Sequence, residues 1–88
     1  MKEAINDVSI VDVRTPEEYL VEHIPNAINI PLDSIAQRIE EFRQMKKPII
    51  AYCRSGNRSG TAVSILKQYG ITDAVNGGGF EDLKQNMK

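Results

Sequence analysis

The sequence predicts an α/β protein built on a parallel sheet, and two observations carry that expectation. Short β-branched runs alternate with stretches of helical periodicity, the order that βαβ units produce. A chain of 88 residues also has room for one core only, so the elements are expected to form a single domain over 1–88.

Val8-Ser9-Ile10-Val11-Asp12-Val13 reads as the first strand, mostly buried because its β-branched residues run nearly without a break. Thr15-Pro16-Glu17-Glu18 then opens a helix. Thr15 suits the cap, Pro16 the first helical position, and Glu18 completes a capping box three residues on. Pro25 stops that helix near His23, and Ala27-Ile28-Asn29-Ile30 reads as a brief second strand closed by Pro31. From Leu32 to Met45 the apolar residues are Leu32, Ile35, Ile39, Phe42 and Met45, spacings of three and four that predict an amphipathic helix. Ile49-Ile50-Ala51-Tyr52 is a third strand, with Cys53 at its carboxyl end. Ser59 or Thr61 is expected to open the next helix, and Gly70 to end it as a left-handed cap. Ile71 to Val75 reads as a last strand, Asn76-Gly77-Gly78-Gly79 as a turn, and Phe80 to Met87 as a closing helix.

Composition excludes several classes of function. An apolar fraction of 41% and a charged fraction of 26% are those of an ordinary globular protein. The net charge is −1 and no basic run extends beyond Lys46-Lys47, which argues against nucleic acid as a partner. No apolar run approaches the roughly 20 residues of a membrane span. Met1-Lys2-Glu3 opens no signal peptide, so a cytoplasmic location is expected. One cysteine rules out an internal disulfide or a multi-cysteine metal site, and one histidine rules out a histidine cluster. No metal and no cofactor are therefore expected.

The chemistry falls on Cys53-Arg54-Ser55-Gly56-Asn57-Arg58-Ser59. In open parallel sheets ligands bind outside the carboxyl ends of strands, where Cys53 lies. A strand, a loop containing glycine and a helix together form an anion pocket, because backbone N–H groups converge there and the helix terminus adds positive charge. A thiol at the mouth of such a loop is expected to titrate below its usual pKa of about 8.5. A structural cysteine would have apolar neighbours on both sides, whereas this one is followed by Arg-Ser-Gly-Asn-Arg-Ser.

Cys53-x-x-Gly56-x-Arg58-Ser59 resembles the active-site loop of single-domain rhodanese-like proteins. Three further segments agree in order and spacing. Val11-Asp12-Val13-Arg14 with Pro16-Glu17-Glu18-Tyr19 looks like the first family signature. His23-Ile24-Pro25-Asn26-Ala27-Ile28-Asn29-Ile30-Pro31 looks like the second, and Asn76-Gly77-Gly78-Gly79-Phe80 like the glycine turn after the last strand. The resemblance implies a compact α/β/α sandwich around a mostly parallel sheet of four or five strands, the count depending on what precedes Val8. It also implies transfer of a sulfane sulfur, from thiosulfate or a persulfide, onto Cys53. The sulfur would then pass to a thiophilic acceptor such as cyanide or a thiol, a thiol protein in relay included. Cys53 is then the catalytic residue, and Arg54, Ser55, Gly56, Asn57, Arg58 and Ser59 line the substrate site. Nothing in the sequence demands more than a monomer. The chain departs from the family at Glu22 and Asn26, where glycine is common, and at Leu83, where tryptophan is.

The supporting residues have expected places. Arg54 suits an anionic donor. Arg58 is expected to turn inward and pair with a carboxylate, Asp12 first, with Glu17 or Glu18 behind it. Arg14 is expected at the mouth or in an exposed ion pair, and His23 to hold a turn rather than move protons. The rival of the same fold is a phosphatase or arsenate reductase. Its loop places five residues between cysteine and arginine to hold a tetrahedral oxyanion; four separate Cys53 from Arg58. A redox-sensing thiol or an interaction module are the rivals from other classes.

Overall fold

A computed structural model describes residues 8–86 of the chain. Strand β1 is Ser9–Asp12, helix α1 Pro16–Val21, β2 Ile28–Asn29, α2 Ile39–Gln44, β3 Ile49–Cys53, α3 Asn57–Gln68, β4 Ala74–Gly79 and α4 Phe80–Asn86. All strand pairs are parallel and the sheet of four runs β2-β1-β3-β4. The expected range of four or five strands thus resolves to four among the described residues. Met87, expected in the closing helix, lies outside the described residues.

Successive side chains of a strand point to opposite faces, and here that alternation divides the core into two. Val11, Ala51 and Cys53 face Ile35, Phe42, Ala62 and Leu66, the side covered by α2 and α3. Ile10 and Tyr52 face Ile24, Ala27 and Phe80, the side covered by α1 and α4. The result is the α/β/α sandwich the family resemblance implied.

The start of α1 follows its sequence closely. Thr15 accepts from the Glu18 N–H at 3.2 Å, and the Glu18 carboxylate accepts from the Thr15 N–H at 3.0 Å, a complete capping box behind Pro16. Asn26 takes the left-handed conformation at φ +73, which asparagine tolerates better than most residues. Glu22 is exposed. His23 Nδ1 donates to the Tyr19 carbonyl, 2.9 Å away, and the ring stacks on that of Tyr19, so it holds a turn as expected.

Three elements differ from expectation. Leu32 to Met45 is not one helix: two 3-10 turns, Leu32–Ser34 and Ala36–Arg38, precede α2. Three of the four steps along the apolar stripe are three residues, the period of a 3-10 helix, so the tighter winding keeps Leu32 and Ile35 on the core side. Helix α3 begins at Asn57 rather than at Ser59 or Thr61. The last strand is Ala74–Gly79 and absorbs the expected turn, while Ile71–Asp73 is not strand. A bulge opposite Ala51 and Tyr52 leaves Gly77 unpaired and carries the glycine run along the end of β3.

Candidate active site

Cys53 ends β3 on the α3 face and is wholly buried, at 0% exposure. The backbone turns back over it through Arg54, Ser55 and Gly56. Gly56 stands at φ +99, a conformation that disfavours any side chain, and its N–H donates to Cys53 Sγ at 3.0 Å. The Ser59 N–H donates to the same sulfur at 3.4 Å, and the Ser59 hydroxyl lies 3.5 Å from it.

This geometry explains why α3 starts early. A helix leaves its first N–H groups without partners, and a side-chain oxygen at the N-cap normally accepts one of them. Gly56 is the N-cap of α3 and provides no side chain. The sulfur of Cys53 accepts the third-position N–H instead, so a side-chain sulfur from the preceding strand is the helix cap. Its charge sits at the positive end of a helix of 12 residues.

The thiol titrates below its ordinary value. Burial alone pushes it up, but hydrogen bonds at the sulfur, the N–H groups of Ser59, Ser55 and Gly56 among them, stabilise the thiolate and outweigh that cost.

The expected site residues separate into two groups. Ser59 is buried and Gly56 and Arg58 are half-buried around the sulfur, whereas Arg54, Ser55 and Asn57 have exposed side chains. Arg54 and the Arg14 guanidinium border a cavity of about 290 Å³ with Glu18, Glu22, Phe80 and Glu81. Arg58 does turn to a carboxylate, but the partner is Glu18, at 2.9 and 3.2 Å, and not Asp12. Asp12 is engaged elsewhere. Arg14 holds it through Nε at 3.0 Å and Nη2 at 2.7 Å, and the Tyr52 hydroxyl donates to it at 2.7 Å. Asp12 and Tyr52 are register neighbours on β1 and β3, so their side chains share the face opposite Cys53. Arg14 is accordingly buried at 6% exposure, not in an exposed pair, and its Nη2 also donates to the Glu22 carbonyl at 2.6 Å.

Sequence reasoning missed two contributors. Tyr52 ties the strand before the cysteine to the segment before β2, accepting from the Ile24 N–H at 3.0 Å. Asn76 reaches from the bulged strand β4 into the cradle. Its Oδ1 accepts from the Ser59 hydroxyl at 2.6 Å and from the Gly78 N–H at 2.9 Å, and its Nδ2 donates to the Gly56 carbonyl at 3.0 Å. The signal for Tyr52 was its place one residue before the cysteine; a polar side chain directly before three glycines was the signal for Asn76.

A family description, the rhodanese-like domain, matches residues 1–86. The chain belongs to the rhodanese family. It is 42% identical over 74 residues to the thiosulfate sulfurtransferase PspE of Escherichia coli, covering 83% of this chain and 71% of that protein. Among solved structures it matches a rhodanese-related protein of Thermoplasma volcanium at TM-score 0.81 and 32% identity, over 97% of this chain and 84% of that one. It also matches a structure described as a rhodanese with anions from E. coli, at TM-score 0.79 and 39% identity, over 85% and 89% of the two chains. This rhodanese is thus an enzyme of the sulfurtransferase type. The four ordered sequence segments pointed to the family correctly.

Among the described residues no helix is long and apolar enough to cross a membrane, and no group of acidic, cysteine and histidine side chains is arranged to hold a metal.

Proposed function

We propose that residues 1–88 act as one rhodanese domain that carries a sulfane sulfur on Cys53 as a persulfide. The Cys53 thiolate attacks the outer sulfur of thiosulfate, or of a persulfide donor. The new S–S bond forms as the old one breaks, and sulfite (or the donor thiolate) leaves with the electron pair. A thiophilic acceptor, cyanide or a thiol, then attacks the outer sulfur, and Cys53 departs as thiolate. Net charge and oxidation state balance without a metal, a cofactor or an external oxidant.

The observation that carries this reading is the convergence of the Gly56 and Ser59 N–H groups on one sulfur at a helix terminus. Such donors stabilise the anionic leaving thiolate and the charged outer sulfur of the persulfide. Arg54, Ser55, Gly56, Asn57, Arg58 and Ser59 are assigned to substrate binding, with Arg54 meeting the anionic donor and Arg58 acting by fixing the loop. The similar E. coli chain is described as a rhodanese with anions, which agrees with an anionic donor.

Two observations favour sulfur over phosphate and over redox sensing. Both ends of the Arg58 guanidinium are engaged by Glu18, so it is not free to grip an oxyanion in the cradle. With one cysteine in the chain, an oxidised Cys53 could be resolved only by another molecule. A lone thiol of this kind suits a reducing compartment such as the cytoplasm and a monomer that hands sulfur to small thiols or to a thiol protein.

The test is sulfur transfer from thiosulfate to cyanide, followed as thiocyanate. Wild type should produce it and Cys53→Ser should not; transfer by the serine variant would overturn the proposal. Hydrolysis of an aryl phosphate by wild type and not by Cys53→Ser would replace it with the phosphatase reading.

A further inference from the structure

The Ser59 hydroxyl has one proton and three acceptors within reach: Asn76 Oδ1 at 2.6 Å, the Gly56 carbonyl at 3.2 Å and Cys53 Sγ at 3.5 Å. Which one receives it decides whether Ser59 stabilises the thiolate or the thiol. The orientation of the Asn76 amide settles the competition. Its Nδ2 faces the Gly56 carbonyl and its Oδ1 faces the Gly78 N–H. Flipping the amide would set carbonyl against carbonyl and N–H against N–H, so the oxygen stays towards Ser59. That oxygen carries no proton, and at 2.6 Å the hydroxyl has to be the donor.

We propose that Asn76 is a positioning residue that draws the Ser59 proton away from Cys53, so that Ser59 presents a lone pair to the sulfur and accepts from its S–H. The arrangement is a chain running from Cys53 Sγ–H to Ser59 Oγ–H to Asn76 Oδ1. Stabilisation of the thiolate then falls to the backbone N–H groups, and the hydroxyl opposes it. This inference rests on Cys53 as the reacting atom and adds what tunes it. The chemical use of such tuning is clear from thiol reactivity: a thiolate loses nucleophilicity as its pKa falls, and attack is fastest when the pKa lies near the working pH. A cradle with every donor aimed at the sulfur would over-stabilise the anion. Asn76 restrains it.

The proposal predicts a change opposite in sign to simple loosening of the site. In Asn76→Ala the Ser59 proton is released. The Gly56 carbonyl keeps the Gly60 N–H as a donor at 3.0 Å, and a charged sulfur is the stronger acceptor. Ser59 therefore turns to the thiolate. The other charges near the sulfur stay as they are: Arg58 with Glu18 of α1, Arg54 in the loop, and the Asp12–Arg14 pair of β1.

The experiment titrates the Cys53 thiolate by its ultraviolet absorbance in the full, reduced chain, with circular dichroism to check folding. Asn76→Ala should lower the midpoint by about one pH unit, a tenfold gain in thiolate where the thiol prevails. The same substitution in a Ser59→Ala background should shift it by much less. A raised or unchanged midpoint in folded Asn76→Ala, or an equal shift in both backgrounds, overturns the proposal. Should the alanine variant not fold, Asn76→Asp carries the test. Its carboxylate holds the Ser59 proton more tightly, so it should raise the midpoint more with Ser59 present than with Ser59→Ala; equal shifts overturn the proposal. No sulfur donor is used, so the outcome is independent of whether Cys53 accepts sulfur.

Discussion

Arg58 and Glu18, forty positions apart, meet through two hydrogen bonds of 2.9 and 3.2 Å and fasten the first turn of α3 to α1. The pair connects two sequence features that look separate: Glu18 also closes the α1 capping box, and Arg58 is the second residue of the helix whose N-cap, Gly56, donates its N–H to the sulfur. One carboxylate therefore fixes the start of both helices.

Acid should undo this link over a definite range. Arg58, first, and the Thr15 backbone hold the Glu18 carboxyl at a pKa of about 2, against an ordinary 4.5. A depressed folded pKa stabilises the fold fully above the unfolded value and loses that contribution as pH falls through the folded one. Urea unfolding across pH should show wild type more stable than Glu18→Gln near neutrality, by about 1 kcal/mol for a pair this accessible to water. The gap should close between pH 4.5 and about 2. A gap independent of pH would contradict this role.

Asp12 carries more of the stability than its distance from the sulfur suggests. Asp12→Ala leaves the buried Arg14 guanidinium without its carboxylate and the Tyr52 hydroxyl without its acceptor. Removing one partner of a buried pair costs about 3–5 kcal/mol, a large share of the roughly 5–15 kcal/mol of a whole domain. Tyr52→Phe deletes one bond to Asp12 and strands the Ile24 N–H, for about 1–3 kcal/mol. Denaturant midpoints check the order, with the alanine variant expected lowest.

Gly79 sets how closely β4 approaches the cysteine loop. A Cβ there would lie 2.5 Å from the Arg54 carbonyl oxygen, so Gly79→Ala must push the loop off the strand. Sulfur transfer should fall at least tenfold with the fold retained, as measured by thiocyanate release beside circular dichroism. At Gly70, which stands at positive φ with open space around it, alanine should cost about 1 kcal/mol of stability and leave transfer unchanged. Equal activity loss in both variants would remove the special place given to Gly79.

The sequence made the sheet and the family legible because each rests on local pattern. β-branched runs mark β1 and β3, and Thr15, Pro16 and Glu18 write the α1 cap in four residues. The partner of Arg58 was not legible to the same degree. Asp12, Glu17 and Glu18 are all carboxylates near a strand end, and only the register of β1 with β3 commits Asp12 to Tyr52 and leaves Glu18 for Arg58. The start of α3 was hidden for a related reason: its cap is a sulfur from the preceding strand, which no rule about Ser, Thr or Asp at the N-cap detects. Asn76 was concealed by the glycines after it, which read as a turn, while the bulge at Gly77 turns them into the wall of the cradle.

The central claim is that the sulfur of Cys53 carries a second sulfur, and intact mass after incubation with thiosulfate tests it most directly. Reduced chain should gain about 32 Da, one sulfur, in a single adduct that cyanide removes. Cys53→Ser should gain nothing. A wild-type chain whose mass is unchanged by thiosulfate or by a persulfide donor, or a serine variant that takes up the same mass, would contradict the account.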